Sequence, residues 1–107
     1  MNGFVVLLAA AAGLFGSVDR GPIMPVCRVG VPCDEPAANV TLLFTRNGVT
    51  TRARTDRRGR YRVRLAPGFY AVRTTGRRLG SNVKPARVRV RSQRFARVDL
   101  HIDTGIR

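Results

Sequence analysis

Three observations in the sequence predict an all-β sandwich. Tyr61, Val63 and Leu65 alternate with Arg60, Arg62 and Arg64, the period-two pattern of a strand with one buried and one solvated face. From Asn39 onward, turn chemistry separates such segments about every 8–12 residues, the spacing of sandwiches and barrels. After residue 17 no apolar spacing fits a helix. The chain has 107 residues, 44% of them hydrophobic, which allows one domain with a real core.

The chain opens with an apolar run, Phe4 to Ala12, followed by Gly13-Leu14-Phe15-Gly16-Ser17. A run this short that ends in small residues resembles a secretory signal peptide, since a membrane span needs about 20 apolar residues. The n-region carries no Lys or Arg, which departs from the usual pattern. Cleavage after Ala12 or after Gly16 fits the small residues there. The expected division is a leader over 1–17 and a single β-sandwich domain over 18–107. The expected location is secreted or in the cell envelope, with membrane contact through the leader alone.

Pro22, Pro25, Pro32 and Pro36 rule out a helix over 21–36 and favour an edge strand followed by a loop. Cys27 and Cys33 are the only cysteines, with five residues between them. In an exported chain they are expected to form a disulfide. On the chain-entropy account, closing so short a loop contributes roughly 2 kcal/mol. Zinc would need three or four ligands, and His101 is the one other strong donor, so no metal is expected.

Val40, Leu42 and Phe44 then alternate with polar neighbours into Asn47-Gly48, a hairpin signal because both residues tolerate positive φ. Val49 to Thr55 reads as an exposed return strand. Asp56 and Gly59 bracket a tight turn, Asp56 being suited to bonding turn amides. The Arg60–Leu65 strand follows. Ala66-Pro67-Gly68 breaks it, and Tyr70 and Val72 begin the next. Residues 74–85 read as a polar loop holding Lys84. Val88 and Val90 alternate with Arg87, Arg89 and Arg91, and Val98, Leu100 and Ile102 with Arg97, Asp99 and His101. The expected core is Tyr61, Val63, Leu65, Tyr70, Val72, Val88, Val90, Val98 and Leu100, with Phe44.

The run Thr55-Asp56-x-x-Gly59-x-Tyr61-x-Val63-x-Leu65-x-Pro67-Gly68-x-Tyr70-x-Val72 resembles the hallmark of carboxypeptidase regulatory-like domains, of the prealbumin-like and collagen-adhesin B-type group. The resemblance covers nearly all of 21–107 and is that of a small secreted actinobacterial member. It implies a seven-stranded antiparallel Greek-key sandwich acting as an attachment, spacer or carbohydrate-binding module. Some of these domains form Lys–Asn isopeptide bonds. Lys84, the sole lysine and in a loop, is not expected to.

Charge is the outstanding feature. Lys+Arg number 20 against 6 Asp+Glu, a formal +14. From Arg46 to Arg97, sixteen Arg and one Lys face the single acid Asp56, a local +16. Such an imbalance favours polyanions as partners, although Arg in place of Lys also fits a compositional bias. Arg60, Arg62 and Arg64 emerge on one side of their strand, as do Arg87, Arg89 and Arg91 on theirs. On one sheet these would form a single cationic plate for an anionic cell-surface polymer or glycan, because guanidinium pairs bidentately with phosphate and carboxylate.

The first alternative is a carbohydrate-binding domain using Phe69, which with Phe95 looks free to face outward. There is no Trp, and carbohydrate usually wants aromatic platforms. Nucleic acid is not expected as a partner unless residues 1–17 are not a leader. No exposed aromatic stacking set or known motif supports it. No catalytic residue, enzyme activity or cofactor is expected. One histidine is present, with no nucleophile motif. His101 with Asp99 and Asp103 reads as a solvated face. Asp56 lacks the further carboxylates of a calcium site. The chain is expected to be a monomer.

Overall fold

The computed structural model describes residues 11–75 and 82–105, and no helix occurs among them. The described strands are β1 (Gly13–Gly21), β2 (Glu35–Pro36), β3 (Thr41–Arg46), β4 (Val49–Arg54), β5 (Arg60–Arg64), β6 (Gly68–Thr74), β7 (Val83–Lys84), β8 (Arg87–Val90), β9 (Phe95–Arg97) and β10 (Leu100–Asp103). They form two sheets. In one, β4, β3, β6 and β8 lie in that order, all antiparallel. The other is built around β1, with β5 and then β2 along one side and β9, β10 and β7 on the other.

Alternation places the core. Leu42, Phe44, Tyr70, Val72, Val88 and Val90 of the first sheet meet Leu14, Val18, Tyr61, Val63, Leu100 and Ile102 of the second. The Phe44 and Tyr61 rings stack with centroids 6.0 Å apart. Every expected core residue is buried except Val98, which is half-buried at the core's margin. Its carbonyl accepts the Tyr61 hydroxyl at 2.7 Å. Burial, and secondarily the Asp99 charge, push that phenol well above its ordinary range.

The turns follow their residues. Asn47 and Gly48 take φ of 52° and 79°, which closes the β3–β4 hairpin. Asp56 Oδ1 accepts from the Arg60 and Arg58 amides at 2.9 and 2.8 Å. Those two bonds, Arg60's first, hold its carboxyl below the ordinary carboxylate range. Buried Thr55 donates to the Ala37 carbonyl at 2.5 Å and accepts from the Val40 amide at 2.8 Å, fixing the β2–β3 connection to the end of β4. Tyr70 reaches back across the Pro67–Gly68 turn to the Ala66 carbonyl at 2.6 Å.

Three expectations need correction. The division at residue 17 falls inside β1. Leu14 is fully buried, and the Leu65 amide donates to the Ala12 carbonyl at 3.0 Å, so at least residues 12–17 belong to the domain. The stretch of the expected leader over 1–10 lies outside the described residues. The sheets are not wholly antiparallel either. β1 pairs parallel with β9 and β10 at one constant offset, Phe15 opposite Arg97 and Val18 opposite Leu100. The described strands also exceed seven, because β9 and β10 are two segments of a single line along β1 and because β2 and β7 are two-residue strands. Finally, Lys84 lies in β7 rather than in a loop.

Candidate functional site

On the outer face of the β4-β3-β6-β8 sheet, register sets Arg52 opposite Leu43 and Leu43 opposite Arg73. The neighbouring row runs Thr50, Thr45, Ala71, Arg87, and the next pairs Phe69 with Arg89. Arg54 extends the row of arginines along β4. Arg52, Arg54, Arg73, Arg87 and Arg89 are all exposed, and these four strands contain no Asp or Glu. None of the ion pairs found among the described residues uses them. Leu43 faces outward yet keeps only 5% of its surface exposed. Arg52 and Arg73 flank it on either side, and long arginine stems can cover an apolar neighbour while their heads stay in water. Phe69 is 67% exposed, with the Arg89 guanidinium 5.6 Å from its ring centre. Arg91 lies just past β8 and is exposed.

The second sheet's outer face is divided. Along β5, Arg60, Arg62 and Arg64 are exposed and stand opposite Ser17, Phe15 and Gly13 of β1. Gly13 is required there. A Cβ would meet the Phe95 ring at 2.6 Å as well as the Val63 carbonyl, and the bare backbone lets Phe95 lie across it. The Arg62 guanidinium rests 3.9 Å above that ring. A cleft of about 410 Å³ lies beside it, lined by Phe15, Ser17, Arg60, Arg62 and Arg97. Arg97 is partly neutralised by Asp99 at 3.2 Å. The Ser17 amide at 2.9 Å, and then Arg97, hold the Asp99 carboxyl below its ordinary range.

The rest of this face is acidic. His101 Nδ1 lies 2.9 Å from Asp19 Oδ1, and Asp34 joins them with donor atoms all within 4.8 Å of one another. His101 and Asp103 alternate outward along β10 with exposed Asp99 just before it, and Asp19 on the neighbouring strand is the cross-strand partner of His101. Lys84 stands directly opposite His101 on the other side, which puts a cation beside the cluster.

The two expected arginine triplets do not form one plate. Arg60, Arg62 and Arg64 are on one sheet, while Arg87 and Arg89 are on the other with Arg91 just beyond. The strands they occupy also lie at opposite lateral edges. β5 neighbours β4 at one edge, and β8 lies beyond β6 and β7 at the other. What the sheet order brings together instead is Arg87 and Arg89 with Arg52, Arg54 and Arg73. Their alternation with Thr51, Ala53 and Val72 was legible, but not which strands were neighbours.

Cys27 and Cys33 are bonded, with Cα atoms 5.6 Å apart. The loop they close exposes Val29 and Val31, and Val26 is exposed just ahead of it.

No protein-family model and no curated protein matches the chain. Among solved structures, the Bacillus anthracis TIE protein is similar over 88% of this chain and 16% of that one, at 13% identity and a TM-score of 0.56. A DUF3823 family protein from Parabacteroides merdae is similar over 88% of this chain and 46% of that one, at 18% identity and a TM-score of 0.48. This chain therefore spans less than half of either. The first likeness is consistent with the β-sandwich fold and speaks to the fold alone.

Proposed function

We propose that this protein is a non-catalytic binding module of the cell envelope, a carboxypeptidase regulatory-like β-sandwich that holds an anionic glycan polymer. The observation that carries this reading is the arginine field on the outer β4-β3-β6-β8 face, where Arg52, Arg54, Arg73, Arg87 and Arg89 are exposed on strands that hold no acid. Alternate residues along a strand lie about 6.6 Å apart, so Arg52 with Arg54 and Arg87 with Arg89 reinforce one another within a Debye length of about 8 Å, and Arg73 stands between the two pairs. Each guanidinium takes a phosphate or carboxylate through two parallel hydrogen bonds. Exposed Phe69 adds an apolar surface for a sugar ring. The Cys27–Cys33 disulfide supports a location outside the reducing cytoplasm.

Fluorescence anisotropy tests the reading with labelled polygalacturonate, a poly(glycerol phosphate) chain, neutral dextran and duplex DNA. The variant Arg52→Gln/Arg73→Gln/Arg87→Gln/Arg89→Gln is expected to weaken binding to the anionic glycan polymers at least tenfold. A variant with equal charge loss, Arg28→Gln/Arg57→Gln/Arg58→Gln/Arg94→Gln, is expected to weaken it far less. Equal weakening by both, or tighter binding of DNA than of either anionic glycan, overturns the reading. The exposure of Phe69 favours a second reading, uncharged carbohydrate binding. Dextran binding that survives the arginine changes and is lost in Phe69→Ala would establish it.

A further inference from the structure

We infer that the protein bridges two polymer chains, with β5 supplying a second anion site back to back with the first. The inference rests on the proposed polyanion reading and adds a distinct activity to it, cross-linking. Arg60, Arg62 and Arg64 point out of the sheet opposite the one that carries Arg52, Arg73, Arg87 and Arg89. Packed sheets stand about 10 Å apart before any side-chain length is added. The two sets of charges therefore face away from each other across the sandwich, and a straight polymer segment lying on one face does not reach the other.

The β5 strip has the features of a site in its own right. Alternate residues along a strand are about 6.6 Å apart, so three guanidinium groups form a row that a linear polyanion can follow. Arg62 is held in place by the Phe95 ring, which itself depends on the bare Gly13 backbone. A guanidinium oriented before binding loses less freedom when its anion arrives. The strip is also bounded. Asp19 and Asp34 lie beyond the midpoint of β1, where their carboxylates disfavour a polyanion and bound the strip on that side. One chain along β5 and another across the β4-β3-β6-β8 face run on opposite sides of a rigid sandwich.

Energy transfer between donor-labelled and acceptor-labelled polygalacturonate reads bridging, and anisotropy on the same samples reads binding. The wild-type protein is expected to raise transfer at protein concentrations below the polymer's binding capacity. Two variants are compared with it, Arg60→Gln/Arg62→Gln/Arg64→Gln and Arg52→Gln/Arg73→Gln/Arg87→Gln/Arg89→Gln. At concentrations where anisotropy shows each saturated, both are expected to lose bridging at unchanged far-UV circular dichroism. The Arg28→Gln/Arg57→Gln/Arg58→Gln variant, matched in charge to the first, and the same variant with Arg94→Gln, matched to the second, should keep it. Bridging retained by either one-faced variant would overturn the inference, because net charge or self-association would then suffice. Binding by the wild type without any transfer would also overturn it, since one chain would be wrapping the β4–β5 edge. Absence of binding in anisotropy would instead remove the underlying reading.

Discussion

Replacing Leu14 by Ala tests whether β1 belongs to the domain or to a leader. Leu14 is fully buried between the sheets, in the strand that contacts β5 on one side and β9 on the other. Removing its isopropyl group forfeits about 2–3 kcal/mol of transfer free energy. With the residual cavity the loss becomes about 3–5 kcal/mol, because a strand paired on both sides cannot move in to fill it. A domain of this size has about 5–15 kcal/mol in hand. At about 4–8 °C per kcal/mol, the midpoint should fall by at least about 12 °C. Urea and thermal unfolding followed by far-UV circular dichroism and tyrosine fluorescence would measure this, with fully exposed Val29→Ala as the control. A cost for Leu14→Ala below about 0.5 kcal/mol, no larger than the control's, would refute the placement of β1 in the core.

N-terminal sequencing gives an independent check, since the folded protein should begin no later than Ala12, whose carbonyl is bonded to Leu65; a start at or after Ser17 would contradict the fold. Tyr61→Phe should cost about 0.5–1.5 kcal/mol in urea unfolding by leaving the Val98 carbonyl without its donor. Removing the disulfide with Cys27→Ser/Cys33→Ser should lower stability by roughly 2 kcal/mol and preserve the circular dichroism spectrum, because both residues lie outside the strands. The folded-state pKa of Asp56 is depressed, so its contribution is present above the unfolded value of about 3.9 and is lost as pH falls through the folded one. The melting difference between wild type and Asp56→Ala should accordingly stay constant from pH 7 to 5 and shrink below pH 4.

Strands with one wet face could be read directly. β5 and β8 announce themselves because Arg alternates with Tyr or Val, and β6 because Tyr70 and Val72 alternate with Phe69, Ala71 and Arg73; their inward residues are the ones found buried. β1 could not be read this way. Gly13-Leu14-Phe15-Gly16 is apolar on both sides of the strand, Phe15 being half-buried on the outer face, and such a run looks the same as a leader's apolar region. Its parallel partners lie 82 positions away in sequence, and no local pattern encodes a pairing that distant. The site divides in the same way. Each arginine row was legible strand by strand. Which rows share a face depends on strand order, and that order separates Arg62 from Arg89 while uniting Arg52 with Arg73.

The parallel seam between β1 and the β9–β10 line has a mechanical consequence. Gly13 and Asp103 sit at opposite ends of that seam, because both strands run the same way. Tension applied through these two residues slides one strand along the other and loads all their shared hydrogen bonds together, in shear. Antiparallel neighbours pulled in this manner would open bond by bond, from the end inward. In a single-molecule pulling experiment the domain should therefore resist and then give way in one abrupt event, like a clasp rather than a zip.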